Sequence, residues 1–254
     1  MIGDTQPDLV IHLAAMASVG QSLGATAVTW QVNVNGTLNL AAAIQAFQPK
    51  CTVLFGSSVE VYGESFNHGT VHEDTVPTPL SPYARSKRAG EWILGDVLSP
   101  NNRLIVARPC NHSGPGQTED FVLPAFAAQI AAIERGTQPP VLRVGNLEAA
   151  RDFLDVRDVV DAYITLIGHA ERLPPRSVFN IASGQPRTIA SMLDHMLTLT
   201  TAEIVIEQDP ARMRPSEVPV TTIDATRLRA ATGWAPVYDT DKMIEDLVAS
   251  YREK

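Results

Sequence analysis

Three short apolar runs limit what this chain can become: Asp8-Leu9-Val10-Ile11-His12-Leu13-Ala14-Ala15, Cys51-Thr52-Val53-Leu54-Phe55-Gly56 and Leu104-Ile105-Val106-Ala107-Arg108. Each has the length and unbroken hydrophobicity of a strand buried on both faces, which is the pattern of a parallel sheet. Helical spacing fills the intervals, with Val28, Val32, Leu40, Ile44 and Phe47 in the first and Ala89, Trp92, Ile93 and Val97 in the second. Strands alternating with helices in this way require right-handed crossovers onto one parallel sheet. The expected fold class is therefore α/β, doubly wound.

After Gly114-Pro115-Gly116 the rhythm changes. A helix is expected over 121–134, short strands over 141–144 and 151–154, a helix over 156–167, and a strand over 178–181 that returns to the main sheet. A helix over 188–199, a strand over 203–207 and a helix over 240–252 capped by Thr240 complete a smaller α+β lobe. The expected division is 1–112, with a return strand near 177–183, and 113–254.

At 254 residues with 44% hydrophobic side chains the chain can bury a large core. A formal charge of −8 excludes a nucleic-acid or acidic-membrane surface, so an anionic ligand must be met by a few local arginines. No apolar run approaches the roughly 18 residues of a membrane span, and no signal peptide is recognisable. Cys51 and Cys110 are too few for a disulfide framework, so a reducing cytoplasm is expected. The six histidines lack ligand spacing, and no metal site is expected.

The chemistry concentrates in Ser81-Pro82-Tyr83-Ala84-Arg85-Ser86-Lys87. At a helix start, residues four apart share a face, so Tyr83 and Lys87 are neighbours. An ammonium beside a phenol favours the phenolate and is expected to pull the tyrosine below its usual pKa of about 10. Such a pair can pass a proton to or from an alcohol oxygen. Ser57-Ser58 ends the second apolar run, where open α/β sheets place ligands.

Strand-end Ser followed by Tyr and Lys on a helix resembles the triad of the short-chain dehydrogenase/reductase superfamily. With Gly56-Ser57-Ser58-Val59-Glu60-Val61-Tyr62-Gly63 and Arg108-Pro109-Cys110-Asn111, the chain resembles its extended, NAD-dependent epimerase/dehydratase branch. The resemblance implies a Rossmann-like sheet, an NAD(P)H cofactor and a nucleotide-sugar substrate. Tyr83 would be the proton donor, Ser58 the partner of the substrate carbonyl, Lys87 the holder of the nicotinamide ribose, and Glu60 a base in enzymes that dehydrate. It further implies cofactor contacts from Leu13, Ala14, Ala15, Asn33, Ser57, Pro109 and His112, together with Tyr83 and Lys87.

The segments 111–117, 145–153 and 214–218 are most similar to those of branch members that act on GDP-linked sugars. They imply substrate contacts from Asn111, Val122, Arg151, Arg214 and Glu217, with forked arginine donors suited to a diphosphate. The implied reaction is reduction of the 4-keto group of GDP-4-dehydro-6-deoxy-D-mannose to GDP-D-rhamnose by a homodimer. GDP-mannose 4,6-dehydration, another nucleotide-sugar epimerisation or dehydration, and a non-catalytic sugar-binding or structural role are the alternatives. The last arises because no G-x-x-G-x-x-G or G-x-G-x-x-G occurs. Relative to a complete dinucleotide fold the sheet is expected to be N-terminally incomplete, with about 50 to 60 residues normally preceding Met1. The residues that would distinguish NADH from NADPH belong to that part of the fold.

Overall fold

The computed structural model describes residues 2–213 and 218–253. In chain order the elements are α1 (Ile2–Thr5), β1 (Leu9–His12), α2 (Val19–Gly24), α3 (Thr26–Trp30), α4 (Gly36–Phe47), β2 (Thr52–Gly56), α5 (Pro82–Val97), β3 (Arg103–Pro109), β4 (Asn111–Ser113), α6 (Val122–Glu134), β5 (Val141–Val144), β6 (Ala150–Arg151) and β7 (Phe153–Asp155). They continue with α7 (Val156–Gly168), β8 (Arg176–Ile181), β9 (Arg187–Thr188), α8 (Ile189–Thr198), β10 (Val205–Gln208), α9 (Thr226–Thr232) and α10 (Thr240–Arg252). A π-helical stretch, Gln31–Asn35, joins α3 to α4, and a 3-10 turn, Val59–Tyr62, follows β2.

The elements form two compact units. The first comprises Met1–Cys110, Val160–Ala182 and Ile223–Ala235. Its sheet has the order β1-β2-β3-β8, every pair parallel. On one face Val53, Phe55, Leu104 and Val106 meet Ala41 and Ile44 of α4 and Leu94 of α5. α5 lies so close to β2 that a Cβ on Gly90 would stand 2.7 Å from the Phe55 ring. Among the described residues β1 pairs with β2 alone, and Ile11 and Leu13 at that edge are about half exposed.

The second unit comprises Asn111–Val159, Ser183–Thr222 and Pro236–Lys254. α6, α8 and α10 enclose its core, with Leu123, Ile130, Leu142, Met192, Ile244 and Leu247 fully buried. Three carboxylates in consecutive turns of sequence hold its loops. Asp152 accepts from Ser183 Oγ at 2.7 Å and Gly184 N at 2.7 Å. Asp155 takes a fork from Arg157, and Asp158 accepts from the backbone of Val237 and Tyr238. Among the described residues no helix is long and apolar enough to cross a membrane, and no acidic, histidine or cysteine group is placed to hold a metal.

Several elements depart from the periodicity. The expected helix over 28–47 is broken by the π stretch, and its buried row is Thr29, Asn33, Thr37, Ala41 and Ile44, whereas Val28 and Phe47 are exposed. Buried hydroxyls and an amide satisfied by local hydrogen bonds occupy positions that a hydrophobic count assigns to solvent. Trp92 is likewise 60% exposed beneath the Arg88 guanidinium, and Leu94 takes the core position in its place. Asp239, not Thr240, caps α10 through Lys242 N at 2.7 Å. The strand expected over 151–154 is split at Asp152, whose carboxylate turns to the 183–184 loop.

Candidate active site

The end of β2 and the first turns of α5 form the candidate site, and both lie in the first unit. Ser81 caps α5 by accepting from Ala84 N at 3.1 Å, and Pro82 occupies the first turn, where its missing N–H has no helical partner to lose. This start places Tyr83, Lys87 and Glu91 in register, i, i+4 and i+8, on one buried face. Gly56, Ser57 and Ser58 follow one another at the strand end, and the first two are held by Lys87 and Glu91. The Tyr83 phenol lies near enough to Ser58 for that hydroxyl to oppose the shift that burial imposes on it. Lys87 Nζ donates to Gly56 O at 2.7 Å. Ser57 Oγ donates to Glu91 Oε1 at 2.6 Å. Ser58 is extended, and its Oγ also caps the 3-10 turn by accepting from Glu60 N at 3.2 Å.

The electrostatics differ from the expectation for a tyrosine beside a lysine. Burial pushes the Tyr83 phenol up to about 12, the Ser58 hydroxyl opposes that shift, and the Glu60 carboxylate adds to it. Lys87 sits 5.9 Å from the Tyr83 ring centroid with its ammonium turned to Gly56 O, so it does not draw the phenol toward ionisation. Burial lowers Lys87 itself to about 8. Tyr83 is thus a neutral donor at physiological pH, with a carboxylate near enough to oppose its ionisation.

His12 is neutral as well, lowered to about 4 by burial and by Lys87. The hydroxyl hydrogen of Thr37 is directed at Asn33 O at 2.6 Å, so His12 Nε2, 2.9 Å from Thr37 Oγ1, is the donor of that pair.

The remaining expected site residues fall in several places. Asn33 Oδ1 accepts from Met16 N at 2.8 Å, and its Nδ2 donates to Met16 O and Ser86 Oγ, which ties the loop after β1 to α5. Ala14 lines an open groove of about 620 Å³ with His12, Gln31, Asn35 and Asn39. Leu13 is exposed beside it and Ala15 half-buried. Pro109 ends β3 opposite Ile181. Asn111, His112, Val122 and Arg151 belong to the second unit, with Asn111 and His112 opposite Phe153 and Leu154. The Arg151 guanidinium donates to the carbonyls of Ala150, Val218 and Pro219. Arg214 and Glu217 lie outside the described residues.

The expectations missed a buried polar network directly behind the strand end. Arg108 grips Glu91 with Nε at 2.8 Å and Nη2 at 2.7 Å, while its Nη1 donates to Tyr62 Oη at 2.9 Å. Tyr62 in turn donates to Asn180 Oδ1 at 2.8 Å. The i+4 step from Lys87 to Glu91 was the available signal.

The family model for GDP-mannose 4,6 dehydratase matches residues 1–247 of this chain. The chain belongs to that family. It is 38% identical over 250 residues to a GDP-6-deoxy-D-mannose reductase of Pseudomonas aeruginosa, a match covering 98% of this chain and 81% of the relative. A solved structure, RMD from Pseudomonas aeruginosa complexed with NADPH, superposes with a TM-score of 0.90 at 36% identity, covering 99% of this chain and 84% of that one. A GDP-mannose 4,6-dehydratase of Vibrio cholerae is 26% identical over a match spanning 100% of this chain and 75% of the relative. Within the GDP-mannose 4,6 dehydratase family, then, the reductase likeness is the stronger of these, and the α/β fold with its parallel sheet is common to the structural neighbour.

Proposed function

We propose that this protein uses NAD(P)H to reduce the 4-keto group of GDP-4-dehydro-6-deoxy-D-mannose, giving GDP-D-rhamnose. The observation that carries the reading is the buried Tyr83 beside Lys87 on one face of α5, next to the end of the strand that leads into Ser58. Reduction of a ketone needs an acid at its oxygen, and a phenol kept neutral by burial is one.

The Lys87 ammonium fits the sugar of a nicotinamide nucleotide. It is buried and makes one hydrogen bond, to Gly56 O, which leaves two N–H donors for a ribose hydroxyl. Bound there, a reduced nicotinamide would supply the hydride that reduces C4. Tyr83 would give its proton to the carbonyl oxygen as that oxygen becomes a hydroxyl, and Ser58 would support the oxygen by hydrogen bonding. The groove between the end of β1 and residues 31–40 would take the remainder of the cofactor past His12 and Asn35.

In this reading Asn111, Val122, Arg214 and Glu217 contact the GDP-sugar. Arg151, tied to the backbone of Val218 and Pro219, shapes the segment next to them as well as offering charge to the diphosphate. The assembly is a homodimer built on α3 to α5, supported by Val28, Val32 and Trp92, which are 42% to 60% exposed there. Two free buried cysteines agree with a cytoplasmic setting.

Glu60 supports a second reading, because a carboxylate that influences Tyr83 is placed as a base for removing a proton beside a ketone. The two are separated by substrate. Consumption of reduced nicotinamide with the GDP-4-keto sugar, and none of GDP-mannose, is the expected result. Release of water from GDP-mannose with the keto sugar untouched would replace the reductase by the dehydratase.

A further inference from the structure

We infer that Glu91 and Arg108 are positioning residues, a buried ion pair that sets the distance between the proton donor Tyr83 and its partner Ser58. The inference rests on the assignment of Tyr83 as proton donor and adds two residues that touch neither substrate nor cofactor in that scheme.

The argument begins with what each contact fixes. A helix lying on a strand has two loose degrees of freedom, rotation about its axis and sliding along it. The close approach at Gly90 limits the separation of α5 from β2 and leaves rotation and sliding to side-chain contacts. Glu91, two turns beyond Tyr83 on the same face, is the point at which both are pinned. Its Oε1 receives Ser57 Oγ and Arg108 Nε, and its Oε2 receives Arg108 Nη2 and Arg88 Nη1, so both oxygens are doubly occupied. A planar fork meeting a planar carboxylate permits one relative orientation.

The anchor for this fork is the neighbouring strand. Arg108 is in β3, which is laddered to β2 up to Gly56 and to β8 through Pro109. Ser57 N donates to Ala107 O at 2.7 Å, so the residue next to Ser58 is fixed from its backbone by β3 and from its side chain by α5. Through Nη1 the same arginine holds Tyr62, the last residue of the turn that carries Glu60 and is capped by Ser58. One guanidinium therefore references Ser58, Glu60 and the Tyr83 face of α5 to a single strand. A purely stabilising role for a pair this buried is a poor explanation, since well-packed apolar residues often serve stability equally well or better.

The test uses the 254-residue chain with tyrosine labelled at the ring carbon bearing oxygen, the resonances of its five tyrosines assigned by single Phe substitutions. Two variants are compared: Glu91→Gln, and the apolar replacement Glu91→Leu with Arg108→Met, which removes the fork and leaves unpaired only Arg88, whose side chain reaches solvent. Folded variants, judged by cooperative unfolding, are expected to move the Tyr83 resonance. Where the chain turns over the keto sugar, kcat should fall about 10- to 100-fold with KM changed less than about twofold, the effect of a displaced rather than a missing acid. Tyr62, which Arg108 touches directly, should move in every case and shows that the fork is gone. An unmoved Tyr83 resonance in a folded variant overturns the inference. A wild-type chain inert toward the keto sugar refutes the proposed reaction instead, and the Tyr83 resonance still decides the positioning role.

Discussion

At the scale of single residues, the site is governed by burial more than by charge pairing. Tyr83 and Lys87 are close in sequence and on one face, yet the ammonium faces a carbonyl and each group titrates according to the water it has lost. Two outcomes follow. Lys87 is charged below a pKa of about 8 and loses its proton as pH rises through that value, while Tyr83 stays protonated to about 12. The kcat/KM for the keto sugar should therefore hold at neutral pH and fall above about pH 8, reporting the free enzyme. A profile flat to the onset of alkaline unfolding would remove Lys87 from the reaction. Replacing Tyr83 by Phe should lower turnover by roughly 10² to 10⁴, the usual range for a lost general acid, with nucleotide-sugar binding retained. Calorimetric titration with the GDP-sugar beside the turnover measurement checks both halves.

At the scale of elements, α5 carries the site and its start is specified locally. Ser81 and Pro82 set the first turn, and the phase of that turn decides where Tyr83 points. Ser81→Ala should cost about 1 kcal/mol in denaturant unfolding, with Ser81→Asp restoring most of it. An unchanged midpoint in Ser81→Ala would mean that packing alone holds the turn. The α3 to α4 segment follows a different logic. There Thr29, Asn33 and Thr37 face inward because hydrogen bonds to Met16, Ser86 and His12 satisfy them, and the π stretch brings Asn33 to that position. π bulges of this kind recur at functional sites.

At the scale of the whole molecule, two features bear on assembly and cofactor affinity. The exposed Val28, Val32 and Trp92 on α3 to α5 are expected to be covered in a homodimer, and sedimentation at micromolar concentration should show it. Persistent monomer at high concentration would contradict that arrangement. These 254 residues contain no glycine-rich phosphate loop, and the groove at Ala14 is lined by amides without a cationic side chain. Pyrophosphate affinity in this type of fold comes from free backbone N–H groups at a helix start, so this chain should bind NADH and NADPH weakly, above the low micromolar range. Titration followed by nicotinamide fluorescence checks it, and tight binding would place a phosphate site in residues not singled out here.

Much of this protein was legible in the order of its residues. Period and run length are local properties, so the parallel sheet and its strands expected over 51–56, 104–108 and 141–144, found at Thr52–Gly56, Arg103–Pro109 and Val141–Val144, could be read without coordinates. The pairing of Tyr83 with Lys87 was readable because a four-residue spacing at a helix start is a local signal, whereas adding Ser58 to them rested on the family resemblance. What required the tertiary structure was every property that depends on which face meets which neighbour. Trp92 and Val28 look like core residues by spacing and are exposed, because Leu94 and the Thr29-Asn33-Thr37 row face the sheet instead. The raised pKa of Tyr83, the lowered pKa of Lys87 and the grip of Arg108 on Glu91 arise from desolvation and from contacts between residues far apart in the chain. No pattern along the chain encodes the loss of water around a group, and that loss decides the chemistry of this site.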